Sequence, residues 1–265
     1  MQVRPPAIAG TFYPADEGSL TALLDRVWRN RVALDVPAPK AMIAPHAGII
    51  YSGPIAATAY ASVEAAADRI KRVVLLGPSH HFGFRGFVVP TVDAWRTPLG
   101  DIPLDRPTLD RIAARPDVMA SDRAHGPEHS LEIHLPFMQR ALGDFELVPV
   151  AVGVIEVQHG ASLLRSIWGG DETLIVISSD LSHFFAQDHA KQVDASTTAV
   201  IEAMDADAML DADACGRYPI CGLLAEAKRR DMTMATVDVR TSADTAGDPL
   251  RVVGYGSYLF WPGAS

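Results

Sequence analysis

The chain has 265 residues, 48% of them hydrophobic, and carries a net charge of −9 with an isoelectric point near 5.4. A chain of this length can bury roughly three quarters of its unfolded surface in one core, and so acidic a chain lacks the basic footprint that nucleic acid requires. No apolar stretch reaches the roughly 20 residues that cross a bilayer, no apolar run follows Met1-Gln2-Val3-Arg4-Pro5-Pro6, and Cys215 and Cys221 make neither a disulfide framework nor a CxxC pair. The expectation is a soluble, cytoplasmic protein with no membrane partner. Without repeats or a Ser/Gly-rich linker, residues 1–265 read as a single domain.

Leu20, Leu23, Leu24 and Val27 follow the i, i+3, i+4, i+7 spacing of an amphipathic helix over 16–31. A strand at 40–44, a loop holding Gly48 and Gly53, and an Ala-rich helix over 54–65 come next, followed by a strand at 71–77. Residues 87–105 look irregular or short-stranded, with Trp95 to Asp101 as a loop wall. Helices at 106–114 and 129–142 precede a strand at 146–154, a helix at 158–168 and a strand at 173–178. Helices at 186–204 and 206–212 lead to one that carries Pro219 in its first turn and runs to Arg230. Thr233–Arg240 and Val252–Phe260 close the chain as strands. This alternation predicts a three-layer α/β/α domain with a largely parallel central sheet, the two terminal strands being candidates for antiparallel pairing.

Three of the predicted strands end in Pro or Ser and then deliver histidine. They are Ala41 to Pro45 with His46, Val73 to Ser79 with His80 and His81, and Leu174 to Asp180 with His183. Apolar, β-branched runs of this kind suit buried parallel strands, and ligands of open α/β sheets sit beyond the carboxyl ends of such strands. Four histidines and Asp180 therefore converge on one predicted pocket, a composition suited to a metal or acid–base site. His46 and His80 are the leading ligand candidates, because neutral imidazole is the commonest protein ligand for metals. His81 is an alternative to His80 and a catalytic candidate in its own right. Asp180 and His183 suit either an outer pair that orients a ligand or a general base; helix capping by Asp180, Ser182 or Asp188 is the plainer reading.

Cys215 precedes a predicted helix N-terminus and has Arg217 nearby, both of which lower a thiol pKa and favour the metal-binding thiolate. A small buried apolar role is the alternative for Cys215 and the expectation for Cys221. Glu128-His129-Ser130-Leu131-Glu132-Ile133-His134 looks metal-like only on the surface. His129 and Glu132 share a helix face, His134 does not, and acids at a helix start complement its dipole.

These motifs together resemble the Memo family (mediator of ErbB2-driven cell motility), in particular its prokaryotic branch, called AmmeMemoRadiSam system protein B. The resemblance runs through Arg4-Pro5-Pro6-Ala7-Ile8-Ala9-Gly10-Thr11-Phe12-Tyr13-Pro14, Ala44-Pro45-His46-Ala47-Gly48 and Tyr51-Ser52-Gly53. It continues through Leu76 to His81, Glu128 to Glu132, Ser178 to His183, Cys215-Gly216-Arg217, Gly247-Asp248 and Val253-Gly254-Tyr255. It implies a fold like that of class III, LigB-type extradiol dioxygenases, in which two histidines and a glutamate hold a non-haem iron. For this chain it implies His46, His80 and Cys215 as metal ligands, with Asp180 and His183 beside them. Thiolate in place of carboxylate shifts preference toward softer ions, so ring cleavage does not carry over with the fold. Iron or copper, with zinc as a third option, is the implied cofactor; a radical SAM protein and an AMMECR-type protein are the implied partners.

Three functions follow as competitors. One is a metal-dependent, dioxygenase-like redox enzyme in which His183, oriented by Asp180, moves protons. Another is a non-catalytic module that binds a phosphorylated or anionic peptide or small ligand in the same pocket. The third makes Cys215 a nucleophile with His183 as its base.

Overall fold

A computed structural model describes residues 1–263. After β1 (Val3–Arg4) come α1 (Glu17–Arg29), β2 (Ala41–Ala44), α2 (Ile49–Ala61) and β3 (Arg72–Pro78). The middle of the chain holds β4 (Phe87–Val89), β5 (Ala94–Thr97), β6 (Gly100–Pro103), α3 (Arg106–Ala113) and β7 (Val118–Ala120). Three helices, α4 (Asp122–His125), α5 (His129–Glu132) and α6 (Leu135–Leu142), lead into β8 (Glu146–Val152), α7 (Val157–Ile167) and β9 (Thr173–Ser178). The chain then runs through β10 (His183–Phe185), α8 (Gln187–Glu202), α9 (Arg217–Arg229), β11 (Thr233–Thr241) and β12 (Val252–Trp261).

The nine-stranded central sheet has the order β10-β12-β2-β9-β3-β8-β4-β7, with β11 also on β12. Its heart, β2-β9-β3-β8, is parallel, and these strands are buried almost end to end, as their unbroken apolar runs require. Antiparallel pairs flank it on both sides, β12 against β2 and β4 against β8, and β11 runs antiparallel to β12. Along β12, Ser257 donates its hydroxyl to Ile55 of α2, while the adjacent Tyr258 meets Thr198 of α8. Successive strand residues face opposite ways, so α2, with α1 and α6 packed on it, covers one face. Helices α7, α8 and α9 cover the other. The result is the three-layer α/β/α arrangement. Among the described residues no helix is long and apolar enough to cross a membrane.

Three local expectations change. Helix α2 begins at Ile49 and runs through Gly53 and Pro54 instead of starting at Pro54. Gly53 belongs inside the helix because α1 lies so close that a Cβ there would stand 2.9 Å from Val27 Cγ1. The helix expected over 129–142 is two, since Pro136 has no N–H to offer the turn before it. Trp95 to Asp101 is no loop wall: it belongs to the β5–β6 hairpin of a separate three-stranded sheet with β1, and Trp95 is fully buried.

Candidate metal centre

The parallel strands β2, β3 and β9 end side by side and carry His46, His80 and the Asp180 loop to one place. Cys215 arrives from the segment before α9, which is stitched to that loop. Cys215 N–H donates to the Asp180 carbonyl (3.3 Å), Gly216 N–H to Ser179 Oγ (2.9 Å), and Asp180 N–H to Cys215 Sγ (3.2 Å). One donor atom each from His46, His80 and Cys215 lies within 4.8 Å of the other two, and Cys215 Sγ is 3.3 Å from His46 Nε2. Metal–nitrogen and metal–sulfur bonds of about 2.0–2.3 Å in a tetrahedral site place donors about 3.5 Å apart. The donor set therefore fits a small transition-metal ion.

Hydrogen bonds select the tautomer of both imidazoles. Ser178 Oγ spends its proton on the Ser130 carbonyl (2.7 Å), so toward His46 Nδ1, 2.6 Å away, it acts as acceptor. His46 thus carries its proton on Nδ1 and presents a bare Nε2 to Cys215. His80 Nδ1 lies 2.9 Å from Glu128 Oε1, and His80 N–H donates to Glu128 Oε2 (2.6 Å). Burial opposes ionisation of Glu128, yet its bonds from His80 and Ser130 outweigh that and hold its pKa at about 2. A carboxylate can only accept, so His80 also keeps its proton on Nδ1 and leaves Nε2 free. Carboxylate or hydroxyl behind each imidazole is the arrangement that orients histidine ligands. Gly77 permits it, since a Cβ there would press on Leu131 Cδ2 at 2.9 Å and Ser178 Cβ at 3.0 Å.

Burial and neighbouring imidazoles disfavour protonation of His46 and His129. Burial drives the His46 pKa well below its ordinary value, and the neighbouring His80 and His129 add to the shift. His129 falls to about 4 for the same two reasons, burial and then His80. Asp180, buried, rises to about 7 although the His46 N–H donates to its Oδ1 at 2.7 Å. Cys215 departs from expectation: burial, and then the charge of Asp180, raise its thiol pKa well above the ordinary value. The helix start and Arg217 do not overcome them; Arg217 lies over the Tyr218 ring instead.

Each sequence-derived candidate has a definite position. His46, His80 and Cys215 converge. His81 is exposed and outside that donor group, its ring edge-on to His129 at 6.2 Å. Asp180 does not orient His183, because no hydrogen bond joins them among the described residues; its carboxylate serves the His46 loop. Nor do Asp180, Ser182 or Asp188 cap α8, whose N-cap residue is Ala186. His183 is half-buried with a lowered pKa, chiefly from burial, and a charge on His80 would lower it further. Glu128 and His129 gain importance, since His129 stacks on His80 at 4.4 Å between ring centres and meets His46 at 5.5 Å. Cys221 is a buried core residue, as expected.

Fold and site thus define an α/β/α protein with two Nε2-presenting histidines and a cysteine at the carboxyl ends of its parallel strands. The model of the family described as Memo-like protein matches residues 4–259, and the chain belongs to that family. It is 34% identical to a MEMO1 family protein of Aquifex aeolicus, over 98% of this chain and all of the relative. A MEMO1 family protein of Methanopyrus kandleri is 32% identical over 97% of this chain and 98% of its own. A crystal structure titled as an uncharacterized protein, JW3007 from Escherichia coli K12, shares the fold. Its TM-score is 0.52 at 15% identity, covering 83% of this chain and 98% of that one.

Proposed function

We propose that the chain holds one redox-active ion, iron or copper, on His46 Nε2, His80 Nε2 and the Cys215 sulfur, and that this centre serves an oxidoreductase of dioxygenase-like type. The observation that carries the reading is the pairing of close donor atoms with hydrogen bonds that leave both Nε2 atoms bare. When bound, such an ion supplies one-electron and Lewis-acid chemistry at neutral pH. The residues around it prepare the ligands. Ser178 and Glu128 hold the Nδ1 protons of the two histidines. The half-buried Cys215 thiol would give up its proton to serve as a ligand, and Asp180 N–H is placed to donate to the resulting thiolate. His183, neutral at pH 7, is the group we assign to accept a proton from a substrate, with His81 outside it at the exposed rim. A radical SAM protein and an AMMECR-type protein are the partners this reading proposes, on the resemblance alone.

A pocket for an anionic ligand has less support. Burial drives the His46 pKa well below its ordinary value, and a carboxylate, Asp180, stands 3.9 Å from His46 Nε2. The deciding experiment is elemental analysis of protein purified without chelator or a metal-affinity tag, followed by anaerobic competition among Fe(II), Cu(I) and Zn(II). Cys215→Ser should weaken the softer ions most, because serine is a neutral, harder donor at pH 7. Cys215→Glu should shift preference toward Fe(II). Identical preferences in all three proteins would remove Cys215 from the site. Absence of binding by the wild type would leave the anion-binding module as the better account.

A further inference from the structure

Two sequence motifs are not absorbed by the metal centre itself: the N-terminal run Arg4 to Tyr13 and the second acid of the Glu128 to Glu132 segment. They meet in one buried cluster. Arg4 is 6% exposed and Glu132 is fully buried. Arg4 Nη1 donates to Glu132 Oε2 at 2.6 Å, Nε to the His125 carbonyl at 2.9 Å, and Nη2 to the carbonyls of Gly126 (3.2 Å) and Glu128 (3.1 Å). The guanidinium also lies over Trp95, 4.4 Å from the ring centre. The other lone pairs of Glu132 accept Ala7 N–H (2.8 Å), Ile8 N–H (3.1 Å) and Tyr13 O–H (2.6 Å). Pro5 and Pro6 stiffen the chain between the two ends of this clamp. A buried ion pair persists at low cost only when its remaining donors and acceptors are satisfied, and here the groups that satisfy Arg4 are backbone carbonyls of the segment that carries Glu128, while the N-terminal run satisfies Glu132.

The same N-terminal run reaches both ligand loops. Arg4 grips the carbonyl of Glu128, whose carboxylate fixes His80 through Nδ1–H and backbone N–H. Phe12 lays its ring on His129 at 4.9 Å, and its carbonyl accepts the N–H of Ile49, just past the His46 loop.

We propose that Arg4 and Glu132 are positioning residues for the metal centre, acting on His80 through Glu128. The proposal rests on the metal-site reading, but its test does not depend on metal. Arg4→Lys keeps the charge, yet a single ammonium cannot span acceptors that a planar fork reaches at once. Glu132→Gln keeps the shape and removes the ion pair. Leu109→Ala, a core truncation in α3 outside the cluster, supplies a destabilised control.

In metal-free protein, the NMR resonance of the His80 Nδ1 proton reports its bond to Glu128. It should broaden or disappear in Arg4→Lys and Glu132→Gln while persisting in the control. With Co(II) as probe, both variants should bind roughly tenfold or more weakly, at the scale of a lost outer partner, with altered visible bands; the control should keep wild-type affinity. If the His80 proton signal persists in folded variants of Arg4 and Glu132, the cluster is purely structural and the proposal falls. If wild type binds no Co(II) but the proton signal still responds, the positioning role stands and the metal reading fails.

Discussion

The two ends of helix α9 each hold a buried carboxylate, and the protein treats them in opposite ways. At its C-terminal end the buried Glu226 is gripped by three arginines, Arg165 (3.2 Å), Arg229 (2.6 Å) and Arg230 (2.7 Å). Burial works against its charge, the three guanidiniums outweigh it, and its pKa is lowered. At the other end, beside Cys215, Asp180 is buried, among the described residues no lysine or arginine pairs with its carboxylate, and its pKa climbs to about 7. A carboxylate serving only the fold is matched by charge on every side. One left uncompensated, next to a thiol whose pKa it raises, is the kind of perturbed pair that supports the metal-centre reading proposed above.

The largest effects should come from the proposed ligands themselves. His80→Ala should lower the affinity for a soft transition metal by more than the 10–100-fold that an outer-shell loss costs, whereas His81→Ala should leave it unchanged. Titration with Co(II) or Cu(I) reads both; equal losses would undo the assignment of His80 over its neighbour. Glu128→Gln comes next, at about 10–100-fold. A glutamine can no longer take both His80 N–H groups as a carboxylate does. A Gln variant with unaltered affinity would leave Glu128 as no more than the N-cap of α5.

How much of this was legible in sequence depends on the range over which each interaction acts. The parallel strands and their terminal histidines stand out because burial on both faces imposes unbroken β-branched runs, and each histidine follows its own strand directly. Cys215 and its partners lie far apart in the chain, so only the family resemblance joined them. Glu128 was hidden for a local reason: an acid at a helix start is explained by the dipole, and nothing in the sequence tells that its carboxylate reaches back 48 residues to His80. The proximity of Asp180 and His183 in sequence misled in the opposite direction. Strand β10 starts at His183 and pairs with β12, while Asp180 turns to the His46 loop. The Cys215 pKa went wrong because helix ends and nearby arginines are visible in a sequence and burial is not.

The smallest effects concern stability, and they should have opposite signs at the two ends of α9. Glu226→Gln removes a charge whose folded pKa lies below its unfolded value. Its contribution is therefore complete above the unfolded pKa and fades as pH falls below it. A loss of about 1–3 kcal/mol at pH 7 follows from breaking a buried pair, discounted because Arg165 and Arg229 are about half exposed. Asp180 has its folded pKa raised, so its ionisation penalises the fold increasingly as pH rises from about 4 to about 7. In chelated, metal-free protein, Asp180→Asn should therefore raise the melting temperature at pH 8 and do little at pH 4. A gain of about 1–2 kcal/mol, or roughly 2–8 °C for a chain of this size, allows for the acceptor that asparagine lacks. Saturating metal should erase the gain, because a bound cation relieves the same charge. Equal destabilisation by both substitutions would mean that Asp180 is compensated after all, and the contrast between the two carboxylates would lose its functional meaning.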